Sequence, residues 1–216
     1  MTHITLIRHG QANTEARDEA SYDRLSDLGH QQAAWLGAHL RDSGSRYSRV
    51  YCGTLSRHVE TARSMGYAEA VQDARLNEME YFTLAQAMQD QHGLPIPEER
   101  EGFAAHLPQV FEAWSQGRIR DPYETWPAFE TRTQAALKEI SEGDVPALVI
   151  TSGGLIAMAM RQAMGLDTGG MARLALAIMN TSMHRLFPIG GQLSPVLFNA
   201  VPHLDAPDRH FAQTHL

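Results

Sequence analysis

Short apolar segments that alternate with longer helical patterns constrain the fold of this chain more than any other feature. Five of these segments predict β-strands: His3–Ile7, Arg49–Cys52, Ala147–Thr151, Ser182–Phe187 and Val196–Ala200. A sixth, shorter strand is expected near Ala70–Gln72. Strands that alternate with helices form a largely parallel sheet whose two faces are covered by the helices. The pattern therefore predicts a three-layer α/β/α fold with a mostly parallel central sheet.

Helical patterns fill most of the intervals between these strands. One predicted helix starts after Ser26, a typical N-cap residue, and three others cover Leu55–Met65, Phe129–Glu142 and Leu155–Met164. The segment Thr83–Trp126 is different, because it contains helical pieces, Leu84–Gln91 and Phe103–Gly117, together with Pro95, Pro97 and Pro108, and shows no strand pattern. We expect one domain over residues 1–216, with a mostly helical insertion at about 83–126.

The bulk composition excludes several classes of function. The 216 residues are 43% apolar and 20% charged, and the formal net charge of −7 argues against broad nucleic-acid binding, which needs a basic surface. No apolar run approaches the length of a membrane span. The N-terminus lacks the features of a signal peptide, and Cys52 has no second cysteine to pair with. We therefore expect a cytoplasmic protein without membrane contacts. Its oligomeric state is left open.

The triplet Arg8-His9-Gly10 directly follows the first predicted strand. Ligands of α/β sheets bind at the carboxyl ends of the strands, so His9 would lie at the edge where such sites form. By itself so short a motif is more often only a surface turn, since short motifs frequently match by chance. Three other groups also follow predicted strands, however: Arg57, Glu78 and Ser152-Gly153-Gly154. In a parallel sheet all of these ends share one edge, so the four groups are expected to converge.

With these residues in this order, the chain resembles the histidine phosphatase superfamily, which includes the cofactor-dependent phosphoglycerate mutases. The resemblance rests on Leu6–Gln11, Leu25–Gly29, Gln32-Ala33, Arg57, Glu60–Ala62, Leu76–Glu78, Gly153-Gly154, Asn180–Ser182, Asn199 and His203-Leu204. The pair Gln11-Ala12 followed by Tyr22–Ser26 is more similar to the small phosphatase branch than to the mutases. The resemblance implies a phosphoglycerate mutase-like fold and a phosphatase that acts on a small phosphorylated metabolite.

The resemblance also implies a role for each residue of the site. His9, neutral at its attacking nitrogen, would take up the phosphoryl group as phosphohistidine. Arg8 and Arg57 would hold the non-bridging oxygens, because guanidinium donors match phosphate geometry. Glu78 would protonate the leaving oxygen and then activate water. Additional phosphate contacts are expected from Asn13, Ser152 and Gly153. Because the arginines supply the positive charge, we expect neither a metal ion nor a cofactor.

The chain departs from the family at the second histidine of the site. The family usually has that histidine just before the glycine pair, where this chain has Ser152. Losing a charged donor to the transition state costs on the order of a hundredfold in rate. Three outcomes stay open: a slowed phosphatase, replacement by another histidine such as His184 or His203, or a regulatory protein that binds phospho-ligands without turnover. His58 is left out, because on a helix it would point away from Arg57.

Two further departures concern the phosphate contacts and the mutase reaction. Glu15 stands where the family often has a phosphate-binding asparagine, so we expect Glu15 to point away and Asn13 to take that role. The stretch Glu78–Phe82 lacks the glycine-containing substrate contacts of the mutases. This argues against a phosphoglycerate mutase-type phosphotransferase, which is kept as the weakest alternative. Substrate specificity is expected to reside in the segment Thr83–Trp126.

Overall fold

The structure is a computed structural model that describes residues 1–16 and 18–215. Within these residues six strands form one sheet: β1 Ile4–Arg8, β2 Arg49–Cys52, β3 Val71–Gln72, β4 Ala147–Thr151, β5 Met183–Ile189 and β6 Gln192–Ala200. Their spatial order is β3-β2-β4-β1-β5-β6, and the pairs from β3 to β1 are parallel. β5 and β6 run antiparallel to their neighbours. The prediction of a mostly parallel sheet is therefore confirmed.

The antiparallel hairpin at the end of the sheet has a local cause. Gly190 and Gly191 form its two-residue turn, with φ of 59° and 82°. Turns with two positive φ angles match the twist of paired strands, and glycine adopts these angles without strain. The sequence therefore permits the last two strands to pair directly, without a crossover helix.

Eight α-helices occur in the described part of the chain: α1 Glu19–Tyr22, α2 Asp27–Asp42, α3 Ser56–Met65, α4 Tyr81–His92, α5 Arg100–Ser115, α6 Trp126–Ser141, α7 Gly153–Met164 and α8 Thr168–Ala177. Ser26 caps α2 as predicted, since its Oγ accepts a hydrogen bond from the Gly29 amide at 3.1 Å. The segment 83–126 is mostly helical, as predicted, and supplies most of α4 and all of α5. Pro95 and Pro97 lie between these helices, whereas α5 continues through Pro108.

Two helices were not predicted, and α4, α5 and α6 each begin three residues earlier than expected. α1 is only four residues long, and α8 contains two glycines, so neither shows a strong helical pattern. α6 starts at Trp126 rather than Phe129, because Thr125 caps it and Pro127 occupies its first turn.

Buried side chains on both faces of the sheet make the three layers. In β4 they alternate, with Ala147 and Val149 in the core on one face and Leu148 and Ile150 in the core on the other. The first core contains side chains of α5, α6 and α7, and the second contains side chains of α2 and α3. No helix among the described residues has the length and apolar character required to cross a membrane.

Candidate active site

The central strands β1 and β4 bring the two key segments together at one edge of the sheet. Their last residues, Arg8 and Thr151, are paired, and the His9 amide donates to the Thr151 carbonyl at 2.8 Å. Gly10 then lets the chain turn against the start of α2, because a Cβ at Gly10 would lie 2.4 Å from the Gly29 carbonyl oxygen. His9 is thus fixed at the edge where Ser152 and Gly153 also emerge.

The hydrogen bond of His9 defines which of its ring nitrogens carries the proton. Nδ1 lies 2.7 Å from the Gly10 carbonyl oxygen, which can only accept, so Nδ1 holds the hydrogen. Burial lowers the pKa of His9 well below its ordinary value, and the charges of Arg57 and Arg8 lower it further. The ring is therefore neutral, and the lone pair on Nε2 is available for attack on phosphorus.

Arg57 is held by an aspartate from another part of the chain. The Asp23 carboxylate accepts hydrogen bonds from the amides of Ser56 at 2.8 Å and Arg57 at 3.2 Å, and from the Arg57 guanidinium at 3.0 Å. Leu55, the N-cap residue of α3, has no side-chain cap of its own. Asp23 therefore caps α3 and orients Arg57 at the same time. It lies in the stretch Tyr22–Ser26 that carried part of the family resemblance, but no role was predicted for it.

The two guanidinium groups keep donors that no protein acceptor uses. Within the described residues, the buried Nε atoms of Arg8 and Arg57 have no hydrogen-bond partner, although Arg8 Nη1 donates to the Ile178 carbonyl. A Cβ at Gly153, the first residue of α7, would lie 3.6 Å from Arg8 Nε. Helix starts favour anions, because their amides point outward and the helix dipole is positive there. Together these groups make a candidate anion-binding site (the anion site) beside His9.

Glu78 is anchored at the same helix start. Its carboxylate accepts hydrogen bonds from the amides of Gly154 at 2.9 Å and Met79 at 3.1 Å. A side chain at position 154 would displace it, because a Cβ there would lie 2.5 Å from Glu78 Oε1. The second glycine of the pair therefore makes room for the carboxylate that was predicted to move protons.

A second carboxyl group, Glu19, lies in the same pocket and was not singled out from the sequence. Burial raises its pKa to about 7, although the Phe82 amide and the charge of Arg57 act in the opposite direction. The Phe82 amide donates to its Oε1 at 2.8 Å. Glu19 is on the short helix α1, whose place beside the pocket no sequence pattern indicated.

Asn13 lines the pocket, but its side chain is engaged by its own loop. Its amide group donates to the Ser21 carbonyl at 2.9 Å, and its Oδ1 accepts from the Glu15 amide at 3.3 Å. The Glu15 side chain is exposed and lies outside the pocket lining, in the direction that was expected.

Ser152 is fully buried and contacts a histidine that was left out of the predicted site. Its Oγ lies 2.6 Å from Nε2 of His58, and the His58 ring centroid is 5.8 Å from that of His9. The expectation that His58 points away from the site is wrong. The first turn of α3 carries both residues, and both are buried: Arg57 lines the pocket, and the His58 ring packs near His9.

The two histidines proposed as replacements for the second family histidine lie elsewhere. His184 Nε2 lies 2.8 Å from Ser182 Oγ, and His203 Nε2 lies 2.8 Å from Thr181 Oγ1. Neither lines the pocket, and burial lowers the pKa of both to about 3. Each is a neutral, hydrogen-bonded core residue.

The pocket extends from His9 toward the helical insertion and has a volume of about 380 Å³. Its lining is largely aromatic and aliphatic beyond the anion site: Tyr22, Tyr81, Phe82, Phe103, Leu107 and Phe111. Among the described lining residues only Arg8 and Arg57 carry positive charge, whereas Glu19, Glu98 and Glu99 add carboxylates. No group of three His, Cys, Asp or Glu side chains in the described chain is arranged to hold a metal ion.

The sequence of this chain is similar to one protein family and, over part of its length, to individual members of known activity. The family model of the histidine phosphatase superfamily (branch 1) matches residues 4–201. A 2,3-bisphosphoglycerate-dependent phosphoglycerate mutase from Chelativorans sp. (strain BNC1) is 30% identical over 91 residues, 38% of this chain and 44% of the mutase. The mitochondrial serine/threonine-protein phosphatase Pgam5 from Drosophila willistoni is 32% identical over 97 residues, 44% of this chain and 30% of the phosphatase. The matches thus span less than half the length of either relative.

A solved structure shows the same fold over nearly the whole chain. It is a mutant phosphoserine phosphatase from Entamoeba histolytica in complex with phosphoserine, with a TM-score of 0.68 and 16% sequence identity. The alignment covers 94% of this chain and 100% of the other.

Proposed function

This chain belongs to the histidine phosphatase superfamily, and on that basis we propose that it is a metal-independent phosphomonoesterase that forms a phosphohistidine on His9. The observation that carries the proposal is the fixed tautomer of His9 beside unpartnered guanidinium donors. A neutral imidazole with a free Nε2 is a nucleophile, and two buried arginines stabilise the charge on a transferring phosphoryl group without a metal ion.

The proposed reaction has two steps. Nε2 of His9 attacks phosphorus, and the bond to the leaving oxygen breaks as Glu78 gives that oxygen a proton. Water then attacks the phosphohistidine, Glu78 takes a proton from it, and the bond from Nε2 to phosphorus breaks to release phosphate. Arg8 and Arg57 hold the non-bridging oxygens throughout. The anchoring of Glu78 by the Gly154 amide supports its role, since a proton donor must be held within reach of the leaving oxygen.

The walls of the pocket favour a particular class of phosphomonoester. Beyond the phosphoryl group the described walls offer aromatic and aliphatic surface together with carboxylates, and the positive charges among these described residues are those of Arg8 and Arg57. Among the described lining residues, a substrate carboxylate would meet carboxylates and no further cation beyond Arg8 and Arg57. We therefore expect esters with an apolar leaving group to be preferred over 3-phosphoglycerate, which also argues against a mutase.

The test is hydrolysis of p-nitrophenyl phosphate in the presence of EDTA. We expect turnover by the unmodified protein, an acid-labile phosphoenzyme on brief mixing, and loss of both in His9→Ala. His210→Ala, which alters an exposed histidine, serves as the matched control and should retain both. The kcat/KM for 3-phosphoglycerate should be lower than for the aryl ester. Equal rates in the unmodified protein and His9→Ala would refute the proposal.

Ser152 favours a second candidate function, a phospho-ligand-binding or regulatory protein without turnover. A serine in place of the family's second histidine removes a charged donor at the transition state and leaves the binding arginines intact. This alternative predicts that inorganic phosphate raises the melting temperature, while no member of a broad panel of phosphomonoesters is hydrolysed. Turnover at an ordinary enzymatic rate would exclude it.

A further inference from the structure

His58 is buried in the active site without a role in the proposed reaction. It is the residue after the phosphate-binding Arg57, its side chain is inaccessible to solvent, and its ring packs beside that of His9. Its Nε2 lies 2.6 Å from Ser152 Oγ, across 94 residues of sequence. Burying a polar ring costs free energy, so an imidazole in this position calls for an explanation.

The surroundings of His58 make space for its ring. A Cβ at Gly53, in the loop after β2, would lie 2.1 Å from His58 Nδ1, so this loop accommodates the imidazole only because it has glycine there. Ser152 has no capping role at the start of α7, and its hydroxyl is directed to His58. A longer side chain at 152 that followed the same direction would occupy the position of the His58 ring. Ser152 and the His58 ring together therefore occupy the volume that one long side chain at position 152 would fill.

The other ring nitrogen indicates how the pair is protonated. Among the described residues His58 Nδ1 has no hydrogen-bond partner, although it is buried. A buried N–H without an acceptor is rarer than a buried acceptor without a donor, so the hydrogen belongs on Nε2. Nε2 then donates to Ser152 Oγ, and the hydroxyl hydrogen of Ser152 is free to turn toward another acceptor. Ser152 directly precedes Gly153, which lines the anion site.

We propose that His58 and Ser152 together take the place of one histidine side chain in the phosphoryl site, with His58 donating to the Ser152 hydroxyl and Ser152 donating to a phosphoryl oxygen. The inference rests on the proposed function, because it assumes that a phosphoryl group binds beside His9. Ser152 makes the contact, and His58 is a positioning residue that acts through it. Outer residues that orient a contacting group commonly contribute about 10- to 100-fold to affinity or activity.

The test is a set of substitutions measured by two readouts, the Kd of orthovanadate and the kcat for p-nitrophenyl phosphate. H58A and S152A should each weaken vanadate binding and lower kcat by about 10-fold or more. The double variant H58A/S152A should be no worse than either single variant, because residues that act as a unit are not additive. H58Q, whose amide can donate where Nε2 donates, should lose less than H58A.

The most direct comparison moves the imidazole from position 58 to position 152. S152H alone should be harmful, because its ring would overlap that of His58. S152H in the H58A background should recover about tenfold or more of the vanadate affinity and kcat lost in H58A. A merely structural role for His58 would not give this recovery. Melting temperatures identify variants that fail to fold, and S152A, which removes a single oxygen atom, keeps the test informative in that case.

A measurement on the unmodified protein completes the design. In ¹⁵N NMR of the histidine rings, His58 should carry its hydrogen on Nε2, and this resonance should shift when orthovanadate is added. A hydrogen on Nδ1, unchanged vanadate affinity in H58A and S152A, or no recovery in H58A/S152H would each overturn the inference. Absence of vanadate binding to the unmodified protein would overturn it as well. If vanadate binds as expected but no ester is hydrolysed, the proposed function fails while the inference stands.

Discussion

At the scale of single residues, burial acts in opposite directions on the acids and bases of this pocket. It lowers the pKa of His9 well below the ordinary value and raises the pKa of Glu19 to about 7. The cause is the same in both cases, because a poorly solvated site disfavours whichever form carries the charge. The pocket therefore keeps a neutral base beside a carboxyl group that changes its protonation near pH 7.

Glu19→Gln should stabilise the protein at alkaline pH. In the unfolded chain this carboxyl ionises near 4.5, whereas in the folded protein it stays protonated up to about 7. The folded state then holds the extra proton, so this group lowers stability as the pH rises from 4.5 to 7. Glutamine removes that loss and can still accept the hydrogen bond of the Phe82 amide. Melting temperatures at pH 5 and pH 8 check this: the variant should exceed the parent at pH 8 by more than at pH 5.

Equal differences between variant and parent at the two pH values would show that Glu19 ionises normally in the folded protein. Glu112→Gln, an exposed change on α5, provides the comparison for a carboxyl group outside the pocket lining.

At the scale of secondary-structure elements, the starts of two helices supply residues of the proposed site. α3 presents Arg57 and His58, and α7 presents Gly153 and the amide that holds Glu78. The backbone amides at the start of α3 are capped by Asp23, which comes from a distant segment of the chain. α8, by contrast, is capped by its own preceding residue, Asp167, whose Oδ1 accepts from the Gly170 amide at 2.6 Å.

Asp23→Ala and Asp167→Ala form a matched pair that separates capping from positioning. Each removes a helix cap and should cost about 1 to 2 kcal/mol of stability. Only Asp23 also holds the Arg57 guanidinium, so Asp23→Ala should weaken phosphate binding by about tenfold, while Asp167→Ala leaves it unchanged. Urea unfolding and a phosphate titration give the two quantities. Similar phosphate affinities in both variants would mean that Arg57 is held in place without Asp23.

At the scale of the whole molecule, several buried histidines make the fold sensitive to acid. Burial lowers the pKa values of His9, His58, His184 and His203, and for the last two the values are about 3. Between pH 6.5 and these lower values the unfolded chain binds protons that the folded protein does not. The contribution of these histidines to stability is therefore complete above pH 6.5 and is lost as the pH falls.

Urea unfolding between pH 7 and pH 5 should show this loss directly. Each such histidine contributes a slope of up to about 1.4 kcal/mol per pH unit, and Glu19 opposes them as a single group. We expect the free energy of unfolding to fall by at least about 2 kcal/mol over this range. Each molecule should take up more than one proton when it unfolds at the acidic end of the range. A constant free energy of unfolding from pH 7 to pH 5 would contradict the prediction.

Much of the fold follows from local sequence patterns. The limits of β2 and β4 were predicted without error. β4 is a short, largely apolar run that is buried throughout, which is typical of a central parallel strand. The cap of α2 was also predicted, since Ser26 and the Gly29 amide are three residues apart. α1 and α8 were missed, because one is a single turn and the other contains two glycines in its first turn.

By itself, the sequence of this protein determined the sheet, the helical insertion and the group of residues expected at one edge of the sheet. These depend on periodicity, on caps and on the rule that parallel strands end together, all of which act over short stretches of chain. Only the tertiary structure showed that His58 contacts Ser152, 94 residues away, and that Asp23 caps α3 across 34 residues. Such contacts depend on how whole elements pack. The position of His58, one residue after Arg57 on α3, did not reveal that packing would bury both side chains. The missing second histidine was therefore visible in the sequence, whereas the imidazole behind Ser152 was visible only in the structure.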